Sequence, residues 1–316
     1  MKENNTRVKR YNSDTENIKT IDIENSEDKE EERNHPLLKK IILILIIFLI
    51  LIFSYSCLLE PSLIKVKEYK VDSTIIPDSF HGLKIIHFSD LHYGTTINKK
   101  ELEKIIKNIN ELKPDLIFFT GDLIDKNITT TSEIEEELKN SLAKLECSLY
   151  KYAIYGNEDY NNDKYKEIME YANFTILDNE SKLLFYKENT PIQITGFNSI
   201  ETNPNYTLLS NMVDNTDTTN YYKIVLTHEP DSIDNFTLYK PNLVLSGHSL
   251  GGLIKIPFLK PLFLQDNSKN YYEDYYNINE TKLFVSSGLG TSGINARFNN
   301  FPSFNLYRLY KTKESN

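Results

Sequence analysis

Nineteen consecutive residues, Ile41–Leu59 (IILILIIFLILIFSYSCLL), carry no charge, and this run sets the first limit on the fold. A bilayer core of about 30 Å needs about 20 helical residues, so the run just spans one. A buried core helix of this length keeps a polar face, and this run has none. A cleaved signal peptide has a shorter polar start and a small-residue cleavage site, and neither is present. Ser54-Tyr55-Ser56 before Cys57 also lacks the Leu of a lipoprotein cleavage box. The expectation is a single-pass anchor over 37–60, a disordered polar tail over 1–36 and a soluble domain over 61–316. The tail mixes acidic and basic residues with few apolar ones, too few to offset its ordering entropy. Lys39 and Lys40, with Arg33, precede the run, and Lys65, Lys67 and Lys70 follow it. That small bias places the N-terminus in the cytoplasm and the C-terminal domain on the extracytoplasmic side.

Composition narrows the class of the soluble part. The 316 residues hold 36 Lys+Arg against 45 Asp+Glu, a formal charge of -9. An acidic surface speaks against nucleic acid as a partner, since binding it takes basic patches that displace counterions. Two cysteines, Cys57 and Cys147, do not make a disulfide framework. From residue 62 onward strands and helices alternate. Ile64–Val71 has period two, and Leu83–Phe88 and Asp115–Thr120 are short apolar strands. Leu102, Ile105, Ile106, Ile109 and Leu112 share one helical face within Asn98–Leu112. Helices are also expected at Ser132–Leu145 and Asp163–Tyr171. Further strands are expected at Leu149–Tyr155, Phe174–Leu177, Leu183–Tyr186, Ile192–Ile194, Tyr222–Leu226, Leu243–Leu245, Lys282–Ser286 and Phe304–Leu309. The order predicts an α/β domain, largely parallel. Asn198–Asn220 reads as a surface loop with a short helix, and Tyr271–Tyr276 as a loop packed on the domain.

The residues that bear chemistry fall just after strands, where open α/β sheets place their ligands. They are Ser89-Asp90-Leu91-His92, Thr120-Gly121-Asp122, Gly156-Asn157-Glu158-Asp159, Thr227-His228 and Gly247-His248-Ser249-Leu250. Asp and His supply oxygen and nitrogen ligands suited to Mn, Fe, Zn, Ni or Co. Alternate residues of an extended Asp-x-His point the same way, and the adjacent glycines let backbone approach closely. Of the six histidines, His35 lies in the tail, His81 in a turn and His87 inside a strand, while His92, His228 and His248 sit at strand ends.

Five such strand ends in this order resemble the calcineurin-like metallophosphoesterase superfamily, in particular its bacterial membrane-anchored phosphodiesterase branch. The family pattern runs Asp-x-His, Gly-Asp, Gly-Asn-His-Asp/Glu, His, Gly-His-x-His. Ser286–Thr291 followed by Arg297-Phe298-Asn299-Asn300 and Pro302 resembles the closing segment of that branch. The resemblance covers about 62–311. It implies a four-layer α/β/β/α sandwich of two mixed sheets flanked by helices. It also implies two divalent metal ions, one on Asp90, His92 and Asp122, the other on Asp122, Asn157, His228 and His248. A hydroxide between the metals would attack phosphorus, and Asp122, Asn157, Glu158 and Asp159 are the candidate catalytic residues. The implied partner is a phosphorylated small molecule or a lipid-linked phosphoester.

Two positions depart from the family. Leu250 stands where the second His of Gly-His-x-His belongs, and it leaves the first metal three protein ligands. Glu158 replaces the His that contacts phosphate in the family, so it would act as a general acid or turn inward as a ligand. Asp159 then has no His to orient. Three readings stay open: an active phosphodiesterase with an altered centre, a non-catalytic descendant that binds a metal or a phospho-ligand, and a mononuclear hydrolase of another ester. Arg297 is read as a salt-bridge or surface Arg that could pair with a phosphate, and Tyr93 as a rim residue. The apolar stretch Lys255–Leu264 is read as core or rim packing, with a lipid-facing groove as the alternative.

Overall fold

The strand Leu116–Phe119 (LIFF) is buried at every position, so it must face apolar partners on both sides. Ile117 and Phe119 join one core, while Leu116 and Phe118 join another. This two-sided burial sets the layers in the computed structural model, which describes residues 36–202, 221–235 and 239–313. Helix α1 is Pro36–Ser54, continued by a π-turn at Tyr55–Leu59 and a 3₁₀ turn at Glu60–Ser62. The run Pro36–Ser62 is long and apolar enough to cross a membrane by length and composition. The chain from Ile47 onward is one compact unit, and the helix residues up to Ile46 belong to another.

The first half of the domain gives β1 (Lys65–Ser73), β2 (Lys84–Phe88), α2 (Lys99–Glu111), β3 (Leu116–Phe119), α3 (Ser132–Leu142) and β4 (Tyr150–Ala153). It continues through α4 (Tyr165–Tyr171), β5 (Phe174–Ile176), β6 (Glu180–Leu184) and β7 (Ile192–Gly196). The second half gives β8 (Tyr222–Leu226), β9 (Leu243–Ser246), β10 (Tyr275–Ile278), β11 (Thr281–Val285) and β12 (Ser303–Lys311). One sheet has the order β1-β12-β2-β3-β4-β5, and the other β10-β11-β9-β8-β7-β6. Both are mixed. In the first, only the β12–β2 pair is antiparallel. In the second, the edge pairs β10–β11 and β6–β7 are antiparallel, and the inner pairs are parallel.

The core between the sheets joins Ile85, Leu116 and Phe118 to Ile192, Ile194, Ile224 and Leu245. Helices α2, α3 and α4 cover the outer face of the first sheet. The predicted helical face of α2 is the buried one, and Asn98 caps its start by accepting the Lys100 N–H at 2.8 Å. Over the second sheet, among the described residues, lie a 3₁₀ segment at Pro230–Asn235 and loop side chains, with Ile233 and Tyr239 on Val225 and Val244. The loop and helix expected at Asn198–Asn220 fall mostly outside the described residues.

Two expectations are corrected. Tyr275 and Tyr276 open strand β10 rather than continuing a loop, and a two-residue turn at Asn279-Glu280 leads into β11. Tyr93 is buried, not on a rim, and its hydroxyl donates to Glu137 Oε2 at 2.6 Å.

His87 lies within β2 and is fully buried, its Nε2 2.8 Å from Thr120 Oγ1. Burial pushes its pKa from 6.5 down to about 3. The folded state thus holds it neutral, while the unfolded chain takes up a proton near 6.5. Stability from this residue is complete above about pH 6.5 and declines as pH falls toward 3, by up to about 1.4 kcal/mol per pH unit. In His87→Phe, the denaturant midpoint should therefore vary less between about pH 6.5 and about pH 5 than in the parent. Equal slopes would assign the acid sensitivity to other groups.

Candidate metal centre

The carboxyl ends of β2, β3 and β4 deliver Asp90, His92, Asp122, Asn157 and Glu158, and those of β8 and β9 deliver His228 and His248. The two sheets thus meet over one site. The turns that carry these residues are strained. Asp90, His92, Asp122 and His248 all have φ between 40° and 66°, a left-handed conformation that costs about 1–3 kcal/mol each for residues other than Gly. Gly121 (φ 98°) and Gly156 press together at the centre. A Cβ on Gly121 would lie 2.4 Å from Gly156 N, and one on Gly156 would lie 2.3 Å from Asp122 Oδ1. Only glycine lets both turns reach the same space.

Among the described residues the ligand atoms form three clusters, two that share Asp122 and a third of His92, Asp125 and Glu158. Asp90, His92 and Asp122 bring theirs within 4.8 Å of one another, and Asp122, His228 and His248 do the same. Asp122 Oδ2 lies 3.2 Å from His228 Nε2 and 3.7 Å from His92 Nε2. Asn157 Oδ1 is 3.1 Å from His228 Nε2. All six expected ligand residues are therefore together.

His228 and His248 have their outer nitrogens hydrogen-bonded, and His92 faces two carboxylates with its own. His228 Nδ1 donates to the Thr120 carbonyl at 2.6 Å, which leaves Nε2 toward Asp122. His248 Nε2 donates to the Asp266 carbonyl at 2.8 Å, which leaves Nδ1. His92 Nδ1 faces Glu158 Oε2 at 3.2 Å and Asp125 Oδ2 at 3.6 Å, which leaves Nε2 toward Asp90 and Asp122. An acceptor on one ring nitrogen fixes the tautomer and aims the other, the usual arrangement behind metal-binding His.

The residues present fit a cation. His92 Nε2, Asp122 Oδ2 and His248 Nδ1 are buried and have no hydrogen-bond partner. Such orphaned groups cost about 1–3 kcal/mol each, and a bound cation would satisfy them. The charge points the same way. Burial would lower His92, but Glu158, Asp122 and Asp90 carry its pKa up to about 9. Burial would also lower His228, yet Asp122 and Asp90 lift it well above the usual imidazole value. Burial would raise Asp122, and the imidazoles of His228 and His92 hold it well below the usual carboxylate range. The carboxylates make this pocket attract positive charge.

A family model described as calcineurin-like phosphoesterase matches residues 83–252, which hold every one of these ligands. The chain belongs to that family. Among its relatives, an uncharacterized metallophosphoesterase of Bacillus subtilis, YkuE, is 35% identical over 82% of this chain and 90% of its own length. A UDP-2,3-diacylglucosamine pyrophosphatase of Chlamydia muridarum, LpxG, is 29% identical over 64% of this chain and 74% of its own. A transmembrane protein with a metallophosphoesterase domain from Danio rerio is 27% identical over 74% of this chain, which spans 54% of that protein.

Against the calcineurin-like pattern, Glu158 takes the inward of its two expected positions, while Asp159 and Arg297 occupy places the sequence did not foretell. Glu158 lines a pocket with Asn157 and Lys126, and its carboxylate turns toward His92 and Asp125. It sits behind His92, where its Oε2 also accepts the Lys126 N–H at 2.8 Å. Asp159 holds backbone: Oδ2 accepts from Asp122 N (2.7 Å) and Gly156 N (2.9 Å), and Oδ1 accepts from Leu123 N (2.8 Å). It acts on the site through the two glycine turns, not through a reacting group. Arg297 is fully buried, and its Nη2 donates to the carbonyls of Ser287 (2.9 Å), Gly288 (3.2 Å) and Gly290 (2.6 Å). It staples the closing segment and is not open to a phosphate. Leu250, also buried, packs against Gly288 beside Asp90.

Proposed function

We propose that this chain is a membrane-anchored, metal-dependent phosphoester hydrolase. The observation that carries the reading is the pair of ligand clusters sharing Asp122, with His228 and His248 aimed inward by outer carbonyl acceptors and His92 set against the Glu158 carboxylate. Asp90, His92 and Asp122 would hold one divalent ion, and Asp122, Asn157, His228 and His248 the other. When bound, such ions lower the pKa of water and neutralise charge on phosphoryl oxygens. The chain's own contribution is placement. Asp159 locks the two glycine turns, Thr120 and Asp266 orient His228 and His248, and Glu158 with Asp125 orients His92. The apolar helix α1 supports a substrate at the membrane. LpxG, named for a pyrophosphatase reaction on a diacylated sugar nucleotide, supports a lipid-linked phosphoester or pyrophosphate as its class.

A second reading has its own observation. Glu158 and Leu250 replace two family histidines, and a chain lacking both would suit a module that binds a metal or a phospho-ligand without turnover. Hydrolysis of bis-p-nitrophenyl phosphate separates the two. The full chain in detergent is the material, because Glu60 Oε1 accepts the Asn300 N–H at 2.6 Å and a fragment starting at residue 61 loses it. Chelator-stripped protein should be inactive and should regain turnover with one or more of Mn, Zn, Ni, Co and Fe(II). A folded protein that binds these metals and turns nothing over supports the binding module.

A further inference from the structure

Lys255-Ile256-Pro257-Phe258-Leu259-Lys260-Pro261-Leu262-Phe263-Leu264 is an apolar segment with two prolines, which stiffen it and keep it out of helix and sheet. The structure leaves it uncovered. Phe258 is 106% exposed and Leu259 62%, and Ile256, Leu262 and Phe263 are exposed beside them. Single exposed apolar residues are ordinary, but a contiguous patch of this kind marks an interaction surface. Its base is firmly held. Lys255 N–H donates to the Phe298 carbonyl at 2.9 Å, and a Cβ on Gly252 would lie 2.2 Å from Pro261 Cβ. The tip is thus presented on a rigid support.

Its location names the partner. Pro257 lines a cavity of about 320 Å³ with Tyr55, Glu60, Phe298, Asn299 and Phe301. Tyr55 directly follows the last residue of α1, and Leu58 and Leu59 of the next turn are exposed too. The Arg297 N–H donates to the Ser56 carbonyl at 2.9 Å, so one segment, 297–300, fastens both the end of the apolar helix and the base of the loop. Lys260 is exposed at the tip, and Lys65 Nζ lies 5.0 Å from the centre of the Phe301 ring. Apolar side chains flanked by Tyr and Lys at the end of a spanning helix are the composition of a membrane–water interface.

We infer that the loop 255–264 is a second membrane contact, its Phe258–Leu259 tip seated among lipid acyl chains where α1 leaves the bilayer. The inference rests on the reading of α1 as a membrane span. The loop returns to Asp266, whose carbonyl orients His248, so the lipid-seated segment and a side chain of the metal centre lie on one short stretch of chain.

The chain has no Trp, so Phe258→Trp introduces a single reporter at a position with no packing to disturb. The full-length variant is reconstituted into phosphatidylcholine vesicles with ordinary or dibrominated acyl chains. Tyr171→Trp, at an exposed site on α4, is the control, and Leu259→Trp is the second probe. The indole of Phe258→Trp should emit to the blue of the indole of Tyr171→Trp and be quenched by brominated lipid at least about twofold more strongly. Red, unquenched emission from both tip probes overturns the inference. So does blue-shifted emission without bromine quenching, which would mean that a second copy covers the tip. A chain that fails to float with vesicles removes the anchor, and the inference with it, an outcome distinct from a floating chain with an unquenched tip. None of these readouts depends on hydrolysis.

Discussion

Asp122→Asn should lower metal-dependent turnover by about three orders of magnitude or more, because several kcal/mol of charge stabilisation leave with the metals. The size follows from one atom. Asp122 Oδ2 faces both His228 and His92, so Asp122 joins the cluster of Asp90 and His92 to that of His228 and His248. An amide there keeps the shape and loses the charge that both ions need. The turn itself should survive. Asp122 Oδ1 accepts the Glu158 N–H at 3.0 Å, a contact that an Asn oxygen can keep, and Asp159 holds the Asp122 backbone independently of the side chain. The measurement is metal content and turnover on the same purified sample, with circular dichroism to show an unchanged fold. Loss of both metals together with turnover supports the shared ligand. Retention of both metals and of turnover within about tenfold would show that Asp122 does not bridge them. In a binding module the metal content falls in the same way, with no turnover to lose.

The layers were legible because burial on two faces leaves a run of apolar residues. Leu116–Phe119 carries that pattern, as does most of Lys84–Phe88, and both are central strands. The strand ends were legible because Asp, His and Asn recur after five strands in one order, which ordinary turn preference does not require. Strand β10 was missed, since an edge strand with half its side chains in water resembles an aromatic loop. Asp125 lies three residues beyond Asp122 yet carries no motif of its own, because a carboxylate behind a ligand follows from the folded turn and not from spacing. Thr120 and Asp266 act through carbonyls, which every residue has, so no side-chain motif announces them. Arg297 escaped for a related reason. Its guanidinium is held by converging backbone carbonyls, and that convergence belongs to the fold of 287–300 and not to any residue type in it.

Leu250→His should tighten binding of the more weakly held metal by at least about tenfold, since even the outer partners of ligands are worth about 10–100-fold in affinity. The position is prepared for it. Leu250 is buried two residues after His248, and its Cδ2 and Asp90 Cβ flank the same point, the place a Cβ on Gly288 would take. Its φ of 49° is left-handed. Histidine tolerates that region better than leucine, so the change adds no backbone strain. Titration of stripped parent and variant with each metal reads the affinity, and turnover at limiting and at saturating metal reads the consequence. If the parent is an enzyme short of one ligand, the variant gains turnover at limiting metal and matches the parent at saturation. An unchanged metal affinity would mean that the side chain at 250 does not reach the first ion, and that Asp90, His92 and Asp122 complete it without help. A variant that holds metal more tightly but still hydrolyses nothing would locate the deficit at Glu158, where the family places a phosphate-contacting histidine and this chain has a carboxylate turned toward His92.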